Sequence, residues 1–150
     1  MYIGRLVVTV MCLAVSRICT AQSIPISLAI TLTAPQNCVK PNSPMEVRIV
    51  LTNASDHDVS YRVVATGRSS RWAGMSVHDS AGKLLPEKGG PFDGSVFSGK
   101  ASLGAAKSIE TRVDVAKEYD LTKPGKYTIE VWPLSGERFK PDRVSVCVSE

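Results

Sequence analysis

Apolar residues return at every second position along most of this chain, the period of a strand with one buried face. Ile24, Ile26, Leu28, Ile30 and Leu32 alternate with Pro25, Ser27, Ala29 and Thr31. Past a loop at 34–44, Met45, Val47, Ile49 and Leu51 take one face while Glu46, Arg48 and Thr52 take the other. A turn cluster at 53–58, Asn-Ala-Ser-Asp-His-Asp, leads into Val59, Tyr61, Val63 and Ala65, again alternating with polar neighbours. Residues 67–74, "GRSSRWAG", read as a basic loop with one Trp. Residues 75–85 predict a hairpin that turns at Ala81-Gly82-Lys83 and returns through Leu84 and Leu85. The Gly- and Ser-rich stretch 87–107 leaves room for one short edge strand near Ser95–Phe97. Alternation resumes at Ile109, Thr111, Val113 and Val115, and the last two strands are expected at Lys126–Trp132 and Arg143–Val148.

No segment longer than two turns carries a helical stripe; "VAKEYDL", 115–121, has room for one turn. The pattern therefore predicts an all-β protein, an immunoglobulin-like antiparallel β-sandwich of seven to eight strands.

The first 21 residues break the pattern. A short head with Arg5, an apolar run from Leu6 to Val15 and small residues at Cys19 and Ala21 have the layout of a secretory signal peptide, with cleavage expected after Ala21. About 10 apolar residues fall short of the roughly 20 that a membrane-spanning helix needs. A lipid anchor on Cys19 is disfavoured by Arg17 and Ile18, which stand where small residues belong. The expected division is a signal peptide at 1–21 and one domain at 22–150.

Export changes the charge reading. The chain holds 18 basic and 14 acidic residues, net +4. Without Arg5 and Arg17, 16 basic residues face 14 acidic ones, net +2. That balance gives no argument for a nucleic-acid partner. Two of the four cysteines, Cys12 and Cys19, leave with the signal. Cys38 and Cys147 remain, and in an oxidising compartment a lone pair is read as a disulfide, with free thiols or half of a metal site as the alternatives.

The stretch "YDLTKPGKY", 119–127, has the parts of the corner at which a sandwich chain crosses between sheets. Leu121 tucks under the crossing, Pro124-Gly125 turns it, and Tyr127 packs its ring inward while its hydroxyl reaches backbone upstream. Tyr119 is a second candidate for that tyrosine. Together with "VRIVLTNASDHDVSYRV" and "VHDSAGKLLP", this stretch resembles the non-catalytic immunoglobulin-like domain of bacterial deuterolysin-type metallopeptidases. It is also similar to proteinase-inhibitor-like sandwiches. The resemblance covers Met45 to Val148, is weakest in the Gly-rich middle, and implies an immunoglobulin-like fold and a peptidase as partner. The peptidase's zinc motif is absent: the chain has His57 and His78 but no His-Glu-x-x-His.

Tests for chemistry favour a non-enzyme without metal or cofactor. His57 falls in a turn and His78 on the polar side of a strand, where solvated imidazoles are the norm. No Gly-x-Ser-x-Gly elbow occurs, and pairs such as Asp56 with Asp58 or Glu118 with Asp120 read as caps and solvated charges. Asn53-Ala54-Ser55 matches a glycan acceptor triplet, a pattern too frequent by chance to carry weight. Recognition through end loops is the stronger reading. Its candidates are Arg68, Arg71 and Trp72 in the basic loop and Phe92 and Phe97 in the Gly-rich one, with plain coverage of sheet edges by the aromatics as the alternative. The expected function is an exported, non-catalytic protein-binding module. A structural or adhesive envelope protein is the alternative, and a small metal-binding protein using His57 and His78 the more remote one.

Overall fold

A computed structural model describes residues 26–66, 69–89, 97–134 and 139–150, with backbone alone at 65–66, 69–70 and 97. The expected signal peptide lies outside the described residues. Among the described residues, ten strands and one helical turn follow in order: β1 Leu28–Thr33, β2 Glu46–Asn53, β3 Val59–Thr66, β4 Ser69–Arg71, β5 Ala73–His78, β6 Phe97–Leu103, β7 Ser108–Asp114, α1 Val115–Glu118, β8 Gly125–Pro133, β9 Phe139–Lys140 and β10 Asp142–Val148. They form three sheets, ordered β7-β2-β1-β9, β10-β8-β5 and β4-β3-β6.

The first two sheets face each other as a sandwich, and the alternation explains how. Leu28, Ile30 and Leu32 of β1 and Val47, Ile49 and Leu51 of β2 are buried from one side. Val77 of β5, Ile129 and Val131 of β8 and Val146 and Val148 of β10 are buried from the other. Each such side chain contributes about 1.5–3 kcal/mol on leaving water. Polar residues between them stay outside, where Arg48 meets Glu110 at 2.6 Å and Arg143 meets Glu130 at 3.4 Å.

The immunoglobulin-like character lies in the path after β1. That strand pairs antiparallel with β2. The chain then crosses to the opposite sheet, where Val39 bridges Val148 in parallel. The Val39 amide donates to the Cys147 carbonyl at 3.0 Å and the Ser149 amide to the Val39 carbonyl at 2.8 Å. Cys38 and Cys147 form a disulfide at that crossing, with Cα atoms 4.5 Å apart. It closes a sequence separation of 109 residues and ties the start of the sandwich to its last strand.

Local expectations shift in three places. The surplus over seven or eight strands is the three-residue β4 and the two-residue β9, too short to leave a period in the sequence. Residues 75–85 are not a hairpin of two strands: β5 pairs along its length with β8, and the return arm contributes the single bridge His78–Leu84. The turn itself is present, with Asp79 Oδ1 accepting from the Ala81 and Lys83 amides, both at 2.9 Å. Gly82 sits there at φ 78°, which suits a residue without Cβ. Finally, β6 runs from Phe97 to Leu103, beyond the edge strand expected near 95–97, of which 95 and 96 lie outside the described residues. Its Ser, Gly and Ala residues carry no hydrophobic alternation, and only main-chain pairing along β3 makes it a strand.

Candidate functional site

The two sandwich sheets part between the β7 edge of one and the β5 edge of the other, leaving a cleft of about 400 Å³. That is within the range of small-ligand and anchor-residue pockets. Its floor is apolar, made by Ile49, Met75, Val113 and Val131. Trp72 forms part of the wall and packs against the core while remaining partly exposed. Arg71, the last residue of β4, reaches Glu118 of α1 at 2.7 Å. Around the rim Arg112 meets Glu46 at 3.2 Å, and Lys117 lies 3.8 Å from Asp114. Three cations therefore face three carboxylates, leaving an apolar slot with a neutral, paired rim.

The far side of β5 is closed by the chain itself. The Tyr119 hydroxyl lies 2.9 Å from the Met75 carbonyl and 3.0 Å from Glu87 Oε1. Burial, with the Glu87 carboxylate second, pushes its pKa upward, so the phenol stays protonated and remains a donor. The Leu85 amide donates to the Val77 carbonyl at 2.8 Å, and Lys88 Nζ donates to the Ala116 carbonyl at 2.8 Å. Thus the 85–88 segment, α1 and β5 are locked together behind the cleft.

Of the residues proposed for recognition, Arg71 and Trp72 come together in this cleft. Arg68 and Phe92 lie outside the described residues, and Phe97 is placed by its backbone at the start of β6, paired with Ala65. Glu46, Arg112, Asp114 and Lys117 were not singled out by sequence. Each reads as a surface charge until pairing of β2 with β7 brings 46 opposite 114. Glu118, expected as a cap or solvated charge, is paired with Arg71.

Leu121, Pro124, Gly125 and Tyr127 share one turn. Leu121 and Tyr127 are buried, Gly125 has φ 152°, and the Tyr127 hydroxyl donates to the Lys123 carbonyl at 2.7 Å. His57 is exposed in the β2–β3 turn, its Nδ1 2.9 Å from Asp56. His78 ends β5 on the opposite sheet. Among the described residues no three His, Cys, Asp or Glu side chains gather in a metal-holding group.

In the sequence Asn53 stands out only as the head of the acceptor triplet. Its side chain is fully buried, and Nδ2 donates to the His57 carbonyl at 2.7 Å and the Leu103 carbonyl at 2.8 Å. Its Oδ1 accepts from the Ser55 amide at 2.9 Å and hydroxyl at 2.7 Å. The carboxamide of the acceptor triplet is spent on pinning the 53–58 turn to the end of β6.

No protein-family model matches the chain, and no curated protein matches its sequence. Among solved structures, the Pseudomonas fluorescens alkylpurine DNA glycosylase AlkC is similar at 12% identity and TM-score 0.47, over 83% of this chain and 31% of that one. The chain thus spans less than a third of that glycosylase. A Bacteroides uniformis β-glucuronidase is similar at 9% identity and TM-score 0.45, over 81% of this chain and 14% of that one. The PapD-like domain 7 of human CEP192 is similar at 13% identity and TM-score 0.39, over 93% and 97%.

Proposed function

We propose that this chain is an exported, non-catalytic module that binds a partner protein through the cleft at Arg71 and Trp72. The observation that carries the reading is the cleft itself, an indole and a guanidinium set over an apolar floor within a rim of paired charges. Arg and Trp are the side chains most often found at the energetic centre of protein interfaces, and a pocket that desolvates an anchor residue is their usual setting. The apolar run from Leu6 to Val15 supports export. The Cys38–Cys147 bridge supports it further, since such bonds persist in oxidising compartments. Among the described residues no helix is long and apolar enough to cross a membrane. The likeness of "YDLTKPGKY" to the non-catalytic domain of deuterolysin-type metallopeptidases makes a secreted peptidase the partner class to test first.

The test is capture of secreted proteins from the host cell on immobilised protein spanning 22–150, beside a Trp72→Ala variant, followed by peptidase assays of what is retained. Capture of a peptidase that the variant loses, with its activity reduced, supports the full reading. Retention of envelope components alone, with no effect on any peptidase, moves the reading to a structural or adhesive role. Equal capture by both proteins removes the cleft from the interface.

A further inference from the structure

The exposed edges of the two sandwich sheets are not equivalent. On β10, Val39 supplies main-chain partners to Cys147 and Ser149. On the outer side of β1, β9 pairs at Leu28 and Ala29, and Asp142 Oδ2 accepts from the Leu32 amide at 2.8 Å. On β5, the Leu85 amide and the Tyr119 hydroxyl take the outward carbonyls of Val77 and Met75. Strand β7 has no such cover among the described residues; it pairs with β2 alone.

The phase of that pairing shows what β7 presents. The Asn53 amide donates to the Lys107 carbonyl and the Val115 amide to the Met45 carbonyl, both at 2.9 Å. Antiparallel bonding alternates, so odd-numbered residues between these ends turn their main-chain groups toward β2. Ser108, Glu110 and Arg112 turn theirs outward. Nor do the Glu110 and Arg112 side chains screen that edge. Arg48 holds Glu110 at 2.6 Å, Glu46 holds Arg112 at 3.2 Å, and Arg112 Nε lies 3.4 Å from Glu110. The hydrogen bond from Arg48 holds the Glu110 carboxyl below its ordinary pKa.

The cleft opens directly beside this edge, with Thr111 and Val113 of β7 among its lining. We infer that β7 receives an extended segment of the partner as an added strand, whose inward-facing apolar side chain enters the cleft against Trp72 and Met75. Main-chain bonds to Ser108, Glu110 and Arg112 supply affinity, and the slot selects the side chain, as in other strand additions. The balanced rim selects an uncharged segment with an aliphatic or aromatic anchor. Strand β6 also lacks an outer partner among the described residues, but its Ser98, Gly99, Ala101 and Ser102 offer no anchor and do not line the cleft. This inference rests on the protein-binding reading and names the form of its ligand.

The test needs no known partner. A library of random twelve-residue peptides is selected against the 22–150 protein with its disulfide intact, and amide hydrogen exchange is followed by NMR with and without a selected peptide. The amides of Glu110 and Arg112 should be unprotected alone and slow at least tenfold on binding, and selected peptides should share an apolar residue flanked by alternating positions. Glu110→Pro removes one outward amide and leaves the β2 ladder intact, since proline is tolerated on the free side of an edge strand. It should weaken binding at least tenfold while Glu110→Ala, which loses only the contacts with Arg48 and Arg112, binds within about threefold. A circular dichroism melt establishes that both variants fold. Protection elsewhere, equal binding by Glu110→Pro, or no selected peptide overturns strand addition. If host-protein capture nevertheless depends on Trp72, the protein-binding reading stands and only its strand form falls.

Discussion

Replacing Asn53 with alanine tests how much of this fold hangs on one buried carboxamide. The four hydrogen bonds of Asn53 are not equal in their consequences. Ser55 borders solvent, so water replaces the two bonds to Oδ1 at little cost. The carbonyls of His57 and Leu103 each lose one donor; His57 keeps the Ser55 hydroxyl at 3.0 Å, while the bond lost at Leu103 is fully buried. Losing a fully buried hydrogen bond costs about 1–3 kcal/mol, and the part-buried bond to His57 adds about 1 kcal/mol. Asn53→Ala should therefore destabilise the domain by about 2–4 kcal/mol. A domain of this size loses about 3–5 °C per kcal/mol, so the melting midpoint should fall by roughly 10 °C. Asn53→Asp sharpens the test because it preserves shape and removes both donors. An ionised carboxylate would face two carbonyl oxygens in a dry site, which raises its folded-state pKa above the unfolded value. Stability of the Asp variant should then be greatest at acid pH and fall as pH rises through the ordinary carboxylate range, until at neutral pH it is at or below the alanine variant. Urea unfolding followed by Trp fluorescence, with the parent measured at each pH, reads both effects. A change below about 0.5 kcal/mol for Asn53→Ala would refute the accounting.

Three further outcomes follow from the same geometry. Tyr127→Phe removes the bond to the Lys123 carbonyl and should cost about 0.5–1.5 kcal/mol, while Tyr127→Ala also empties a buried site and should cost about 3–5 kcal/mol; denaturant midpoints decide between them. Burial, above all, raises the pKa of both Tyr119 and Tyr127 above the ordinary tyrosine value. The unfolded chain therefore releases these protons first, so stability should hold below pH 10 and decline as pH rises beyond it, less steeply in Tyr119→Phe; alkaline melts measure the difference. Reduction of the Cys38–Cys147 bridge should cost at most about 5 kcal/mol by the chain-entropy model, and intact mass before and after reductant should differ by two hydrogens. A protein of unchanged stability on reduction would show that the crossing beside β10 holds without it.

The class of the fold and most of its strands lay in local information. A period of two survives in sequence wherever a strand has one face in the core, as in β1, β2, β8 and β10, because the hydrophobic effect selects each buried position independently of its partner. The turn around Pro124-Gly125 was legible for the same reason, since its backbone demands are met by neighbours in the chain. Tertiary structure decided the rest. Strand β6 carries no pattern, because its small residues are held by main-chain bonds to β3. Leu84 and Leu85 looked like a returning strand, yet β8 takes the side of β5 on which a strand pairs, and only the Tyr119 hydroxyl and the Leu85 amide remain for the other. The cleft shows the limit most clearly. Arg71 and Trp72 were candidates by residue type alone. Their setting depends on Glu118, Met75, Ile49 and Val131, which are far apart in sequence and meet only when two sheets close over one core. Asn53 is the extreme case, a triplet of no statistical weight whose buried hydrogen bonds exist only once β2, the 53–58 turn and β6 have come together.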